Sequence, residues 1–82
     1  MEWNFPIYRK YPGDKTLFKI SAIDEFEELS LMGSKIIYHH TKAKIHPDRL
    51  RILDMIEMKD NTWEICQKKQ YDSRKEQFDI QD

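Results

Sequence analysis

Residues 35–58 alternate between two kinds of side chain, and this period of two constrains the fold more than any other feature of the chain. In the first half, every second residue suits a covered face: Ile37, His39, Thr41, Ala43 and Ile45. The residues between them suit an outward face: Ile36, Tyr38, His40, Lys42, Lys44 and His46. A strand places such alternate sets on opposite sides. We therefore predict a strand that begins at Lys35.

Pro47 and Asp48 interrupt the alternation and suit a type I turn, because proline presets the backbone of the first central position. Beyond this turn, residues 49–58 alternate again. A hairpin would bring each covered residue of one strand opposite a covered residue of the other, and we predict it on that ground. The same residues also contain a helical stripe of Leu50, Leu53 and Ile56. A helix over 48–57 is therefore the alternative, because periodicity alone does not separate the two for short apolar runs.

The segment 22–32 has the features of an amphipathic helix. Ser21 and Asp24 have the spacing of a capping box, in which the two side chains satisfy free backbone amides of the first turn. Several acidic residues follow, and acids stabilise the positive end of a helix. Ile23, Phe26 and Leu29 form an apolar stripe at a spacing of three. Gly33 then suits a left-handed helix stop.

Turn signals separate the remaining elements. The sequence "PGD" at 12–14 lies between two strand-like segments and predicts a hairpin of residues 7–11 and 16–20. Beyond a turn predicted at Asp60-Asn61, the expected elements are a short strand over 62–66 and a charged helix over 67–78.

Together these elements predict one α+β domain spanning residues 1–82. We expect a two-layer sandwich with a mainly antiparallel sheet and two helices on one face, in the order β-β-α-β-β-β-α. A chain of 82 residues buries only about 60–65% of its unfolded surface, so its core is small. Self-association is one way in which such a chain can bury more apolar surface.

Composition excludes several classes of protein. The chain is 39% hydrophobic and 35% charged, which is typical of a folded domain and not of a disordered tail. Its net charge of −1 argues against general polyanion binding. We expect no membrane contact and a cytoplasmic location, because no apolar run or signal-peptide pattern is present. Cys66 is the single cysteine, which fits a reducing compartment and is expected to be buried.

All three histidines and a run of basic residues fall within 34–51. On the predicted hairpin, the outward face carries His40, Lys42, Lys44, Arg49 and Arg51. A basic ribbon of this kind can lie along phosphate groups. Binding of nucleic acid or another anionic ligand is therefore an alternative function, although the acidic net charge does not favour it.

A catalytic role is a further alternative. His39 and Asp54 would share the covered face of the predicted hairpin, and a carboxylate beside a histidine is an acid–base candidate. The same pair is equally a structural hydrogen bond, so we assign no catalytic residue. The histidines lack the three or four convergent ligands of a zinc site, and no glycine-rich or nucleophile motif is present. We expect neither a metal nor a cofactor.

The segments "YRKYPGDKTLFKI", "EFEEL", "MGSKIIYHH" and "AKIHPDRLRILDMI" run through nearly the whole chain. In these it resembles a group of short uncharacterised proteins of Bacteroides- and Flavobacterium-type bacteria. The resemblance implies a bacterial cytoplasmic origin and no defined activity. Independently, the acidic segment 22–28, the basic segment 35–51 and an unpaired sheet edge are features that can join two copies. We therefore expect a non-enzymatic protein that acts through a protein partner or as a homo-oligomer.

Overall fold

An antiparallel β-sheet is the centre of the fold. The computed structural model describes residues 4–59 and 62–80. Within them, the elements are β1 (Ile7–Lys10), β2 (Thr16–Ala22), β3 (Glu25–Met32), β4 (Lys35–Lys42), α1 (His46–Glu57), β5 (Glu64–Ile65) and α2 (Lys68–Ile80). The strand order across the sheet is β4-β3-β2-β1-β5, and every neighbouring pair is antiparallel. The predicted α+β class, with a mainly antiparallel sheet and two helices, is confirmed.

The N-terminal hairpin is confirmed. β1 pairs with β2 in a register that sets Ile7 opposite Ile20. Gly13 and Asp14 have φ angles of 95° and 61° in the connecting turn. Glycine adopts these left-handed conformations readily, and aspartate tolerates them better than most other residues. This explains why a "PGD" sequence can reverse the chain here.

The predicted helix over 22–32 is wrong, because this segment contributes the end of β2 and all of β3. The chain turns at Ile23 and Asp24, and Leu29 then pairs with Leu17 of β2. Phe26 and Leu29 are 3% and 0% exposed and lie three residues apart, as in an amphipathic helix. In a strand, this spacing places the two side chains on opposite faces, so both faces of the sheet must be covered.

The predicted hairpin over 35–58 is also wrong. β4 pairs with β3, so that His39 lies opposite Glu28, and residues 46–57 form helix α1. Pro47 lies in the first turn of α1, where a missing backbone N–H costs nothing. The buried side of α1 consists of Ile52, Met55 and Ile56. The observed order is therefore β-β-β-β-α-β-α, in which the third and fifth elements are exchanged relative to the expectation.

The two helices lie on opposite faces of the sheet, and the predicted placement on one face is wrong. Leu17 and Phe18 are adjacent in β2 and therefore point to opposite faces. The cluster on the face of Phe18, here called the α1 face, contains Phe18, Ile20, Phe26, Ala43, Ile52, Met55 and Ile56. The cluster on the face of Leu17, the α2 face, contains Tyr8, Leu17, Leu29, Ile36, Cys66 and Tyr71. The small core is thus divided into two layers by the sheet.

The C-terminal elements agree with the expected ones. β5 is a two-residue strand within the predicted segment 62–66, and it pairs with β1. α2 begins one residue later than predicted and ends at Ile80. The predicted turn at Asp60-Asn61 lies outside the described residues.

Arg9 fixes the end of α1 against β1. Its guanidinium donates to the backbone oxygens of Met55 and Ile56, from Nε at 3.0 Å and from Nη2 at 2.8 Å. These carbonyls belong to the last turn of α1, where no intrahelical amide is available to some of them. A positive charge is also favourable at this end of the helix dipole. Arg9 therefore connects the sheet to the helix through polar contacts as well as packing.

Candidate functional site

The five predicted basic residues do not form one ribbon. His40 and Lys42 lie on β4, two and four residues after Tyr38, so all three side chains are on the same face of the strand. This is the α2 face, because Tyr38 packs against Phe78 of α2. Arg49 and Arg51 belong to α1, and Lys44 lies between β4 and that helix. The guanidinium carbon of Arg51 is 5.9 Å from the centre of the Phe26 ring, on the α1 face. The set is therefore divided between the two faces of the sheet.

The basic residues on β4 have acidic neighbours on β3. His40 Nε2 lies 2.5 Å from a carboxylate oxygen of Glu25, and Lys42 is directly opposite Glu25 in the register. Glu27 accepts a hydrogen bond of 2.9 Å from the Tyr38 hydroxyl. Burial, together with this bond, raises the pKa of Tyr38 to about 12. The acidic segment and the basic segment of the sequence thus pair within one chain across β3 and β4.

A cavity of about 300 Å³ lies between β3, β4 and α1 on the α1 face. Its lining residues are Phe26, Glu28, His39, Thr41, Asp48 and Arg51. Glu28 also accepts a hydrogen bond of 2.9 Å from the Ser30 hydroxyl. The wall therefore combines two carboxylates, an imidazole and a guanidinium around one aromatic ring. Such a wall can bind polar or charged groups.

The predicted His39–Asp54 pair is not the arrangement around this cavity. Asp54 lies on α1 outside the cavity lining, with a carboxylate oxygen 3.9 Å from Lys59 Nζ. The acids that line the cavity with His39 are Glu28 and Asp48. Sequence reasoning missed Asp48 because it was assigned to the turn of the predicted hairpin. Under the helical alternative, the spacing of Asp48 and Arg51 by three residues would have placed them on one face.

Cys66 is buried, as predicted, and lies beside Tyr8 and Tyr71 under α2. Burial raises the pKa of its thiol, which reduces the fraction of reactive thiolate. Burial also raises the pKa of Tyr71. These groups are part of the packing of the α2 face and do not form a reactive centre. In residues 4–59 and 62–80, no three His, Cys, Asp or Glu side chains are placed to hold a metal ion.

The outer edge of β4 is the longer of the two sheet edges in the described part of the chain. β4 has eight residues and lies at one end of the sheet, whereas β5 at the other end has two. The pairing of β4 with β3 proceeds without a bulge from Lys35 to Lys42. Edge strands of this length can template pairing with another strand. This edge adjoins the cavity, because His39 and Thr41 belong to both.

Within the described residues, no helix is long and apolar enough to cross a membrane. The chain matches no family model, and no curated protein or solved structure shows significant similarity to it.

Proposed function

We propose that this protein is a non-enzymatic interaction domain that acts through strand pairing at the outer edge of β4, and that it self-associates there. The observation that carries the proposal is the unbulged eight-residue edge, opposite a β5 edge of only two residues. The proposal includes a bacterial cytoplasmic setting, and the single free cysteine supports the reducing compartment of that setting.

Two backbone hydrogen bonds fix which groups of β4 face outward. Ala43 N donates to Asp24 O at 2.6 Å, and Leu31 N donates to Lys15 O at 2.7 Å. The first bond continues the β3–β4 register by one residue, so the odd-numbered residues of β4 exchange hydrogen bonds with β3. The second bond agrees, because it directs Leu31 of β3 toward β2. The amides and carbonyls of Tyr38, His40 and Lys42 therefore point away from the sheet.

The middle of this edge lacks the usual protection against pairing. Natural edges are blunted by lysine, proline, bulges or a very short strand. In β4, the lysines lie only at the two ends, and no proline or bulge interrupts the strand. Ile37 in the middle is 39% exposed. A strand added to β4 would bury this side chain and satisfy the outward backbone groups.

The anionic-ligand alternative has weaker support. Its five basic residues divide between two faces, and His40 already contacts Glu25. Arg51 remains in the cavity, but there it is accompanied by Glu28 and Asp48, whose charges oppose binding of an anion.

The test compares one lysine substitution on each edge of the sheet. Ile37→Lys places a charge in the β4 edge, whereas Ile65→Lys places the same charge on β5, where the isoleucine is 66% exposed. Sedimentation equilibrium from micromolar to millimolar protein should show a dimer for the unmodified chain. Ile37→Lys should raise the dissociation constant about 10- to 100-fold. Ile65→Lys should leave it unchanged.

A chain that remains monomeric throughout this range would contradict self-association. Equal weakening by the two substitutions would show that the association does not use β4. Circular dichroism of each variant confirms that the fold is retained.

A further inference from the structure

Resting on the proposed use of the β4 edge, we infer that two copies of this chain pair β4 with β4 in one antiparallel register, with the two-fold axis at His39. The partner's β4 then extends the sheet, and the two cavities on the α1 face become neighbours across the axis. Isologous contacts of this kind are the commonest form of homodimer.

Symmetry limits the registers to a few. Antiparallel strands are related by a two-fold axis perpendicular to the sheet, so residues that face each other must lie on the same face of the sheet. The axis must therefore pass through a residue and not between two residues. The registers that pair most of β4 are centred on Tyr38, over residues 35–41, or on His39, over residues 36–42.

The outward backbone groups separate these two registers. With the axis at His39, Tyr38 lies opposite the partner's His40, and His40 lies opposite the partner's Tyr38. All four residues direct their amides and carbonyls outward, so each pair exchanges both of its hydrogen bonds. With the axis at Tyr38, the next outward residue required is Ile36, which already has a partner in the monomer. With the axis at His39, Ile36 lies only at the two ends of the ladder, so both central pairs form without its backbone groups.

Side chains on the α1 face also fit this register. Ile37, which is exposed in the monomer, would lie opposite the partner's Thr41 and lose its contact with water. His39 would lie opposite the partner's His39, and each imidazole would have Glu28 of its own chain on the other side. A neutral imidazole both donates and accepts, so two of them can form a hydrogen bond across the axis.

The charges are compatible with the same pairing. Lys42 would lie opposite the partner's Ile36, and Lys35 lies beyond the paired residues. No two lysines therefore oppose each other, which matters because like charges directly across a ladder are destabilising. On the α2 face, His40 keeps Glu25 beside it.

Disulfide trapping tests the register. Because His39 bonds inward to β3, the pair at the axis is a non-hydrogen-bonded pair, in which the Cα atoms approach to about 4.5 Å. This distance lies within the range that a disulfide spans. His39→Cys alone should form a covalent dimer in a glutathione redox buffer. A mixture of Ile37→Cys and Thr41→Cys chains should form the covalent heterodimer.

The controls use the same chemistry at other positions. Ile65→Cys supplies an equally accessible thiol on the β5 edge, and the unmodified chain reports on Cys66. His39→Cys should form at least about tenfold more covalent dimer than Ile65→Cys, because only its thiols are held within bonding distance. Circular dichroism checks that each variant is folded.

The outcomes distinguish this inference from the proposed function. Covalent dimer from mixed Ile37→Cys and His39→Cys chains, with none from His39→Cys alone, would place the axis at Tyr38 and overturn the register. No trapping by any β4 cysteine in a chain that sedimentation shows to be dimeric would overturn the β4–β4 pairing. A monomeric unmodified chain would remove both proposals.

Discussion

Replacement of Arg9 by methionine should destabilise the fold more than is usual for a partly exposed residue. The guanidinium donates to the carbonyls of Met55 and Ile56 at the end of α1, at 3.0 and 2.8 Å, and to the carbonyl of Tyr8 at 2.8 Å. Methionine retains most of the apolar stem and removes every donor. The substitution therefore isolates the polar connection between β1 and α1.

The magnitude follows from these contacts. A hydrogen bond from a charged group contributes about 1.5–3 kcal/mol when buried, and partial exposure of Arg9 places each bond near the lower end. Loss of a positive charge at a helix C-terminus costs about 0.3–1 kcal/mol more. We expect a loss of about 3–5 kcal/mol, against a total stability of about 4–12 kcal/mol for a chain of this length. Arg9→Lys should lose about half as much, because it keeps the charge and fewer of the bonds.

Urea unfolding followed by circular dichroism measures this effect. Lys10→Met is the matched control, because the next side chain of β1 also carries a positive charge but pairs with Asp14, whose side chain is 50% exposed. The urea concentration at which half of the protein is unfolded should fall by a large amount for Arg9→Met and by a small amount for Lys10→Met. The dependence of the unfolding free energy on urea concentration should be unchanged. Equal effects of the two substitutions would refute the conclusion that Arg9 holds the end of α1.

Two further predictions concern the tyrosines of the α2 face. Tyr71→Phe should raise stability by about 0.5–1.5 kcal/mol, because the Tyr71 hydroxyl is buried without a hydrogen-bond partner among the described residues. Tyr38→Phe should lower stability, since the Tyr38 hydroxyl bonds to Glu27. Thermal unfolding of both variants shows whether the two changes in stability have opposite signs. The pKa values of Tyr71 and Tyr38 are both raised by burial, that of Tyr38 to about 12. Because the folded state retains these protons after the unfolded chain loses them near pH 10, the contribution of the two tyrosines to stability should be full below about pH 10 and should fall toward pH 12. A melting temperature that stays constant between about pH 10 and pH 12 would contradict the assignment.

The wrong prediction of a helix over residues 22–32 has a physical cause. A sheet with one covered face shows alternation, and this was the expected architecture. In the actual sheet, helices cover both faces, so the buried residues of β3 need not alternate. Phe26 and Leu29 are buried by different helices at a spacing that also fits a helix. The acidic residues around them, which suggested a helix N-terminus, instead face the basic and tyrosine side chains of β4.

The opposite error in α1 arose from apparent alternation. Ile52 and Ile56 fall on one side of a strand pattern and are also one helical turn apart, so both patterns fit them. Only the burial of Met55 between them separates the two, and periodicity does not supply that. Pro47 added to the error, because a proline suits the first turn of a helix as well as a β-turn. The cavity on the α1 face depended on this choice, since Asp48 and Arg51 reach it only from a helix.

Some features of β4 depended on local sequence alone and were therefore predictable. The assignment of His39 and His40 to opposite faces is a property of any strand, whichever strand lies beside it. The neighbour of β4 is a property of the whole fold, and the sequence suggested residues 49–58 in that place. Because those residues form α1 instead, β4 has a neighbour only in β3 among the described strands. The side that the predicted hairpin would have covered is thus the side on which we place the β4 of a second copy.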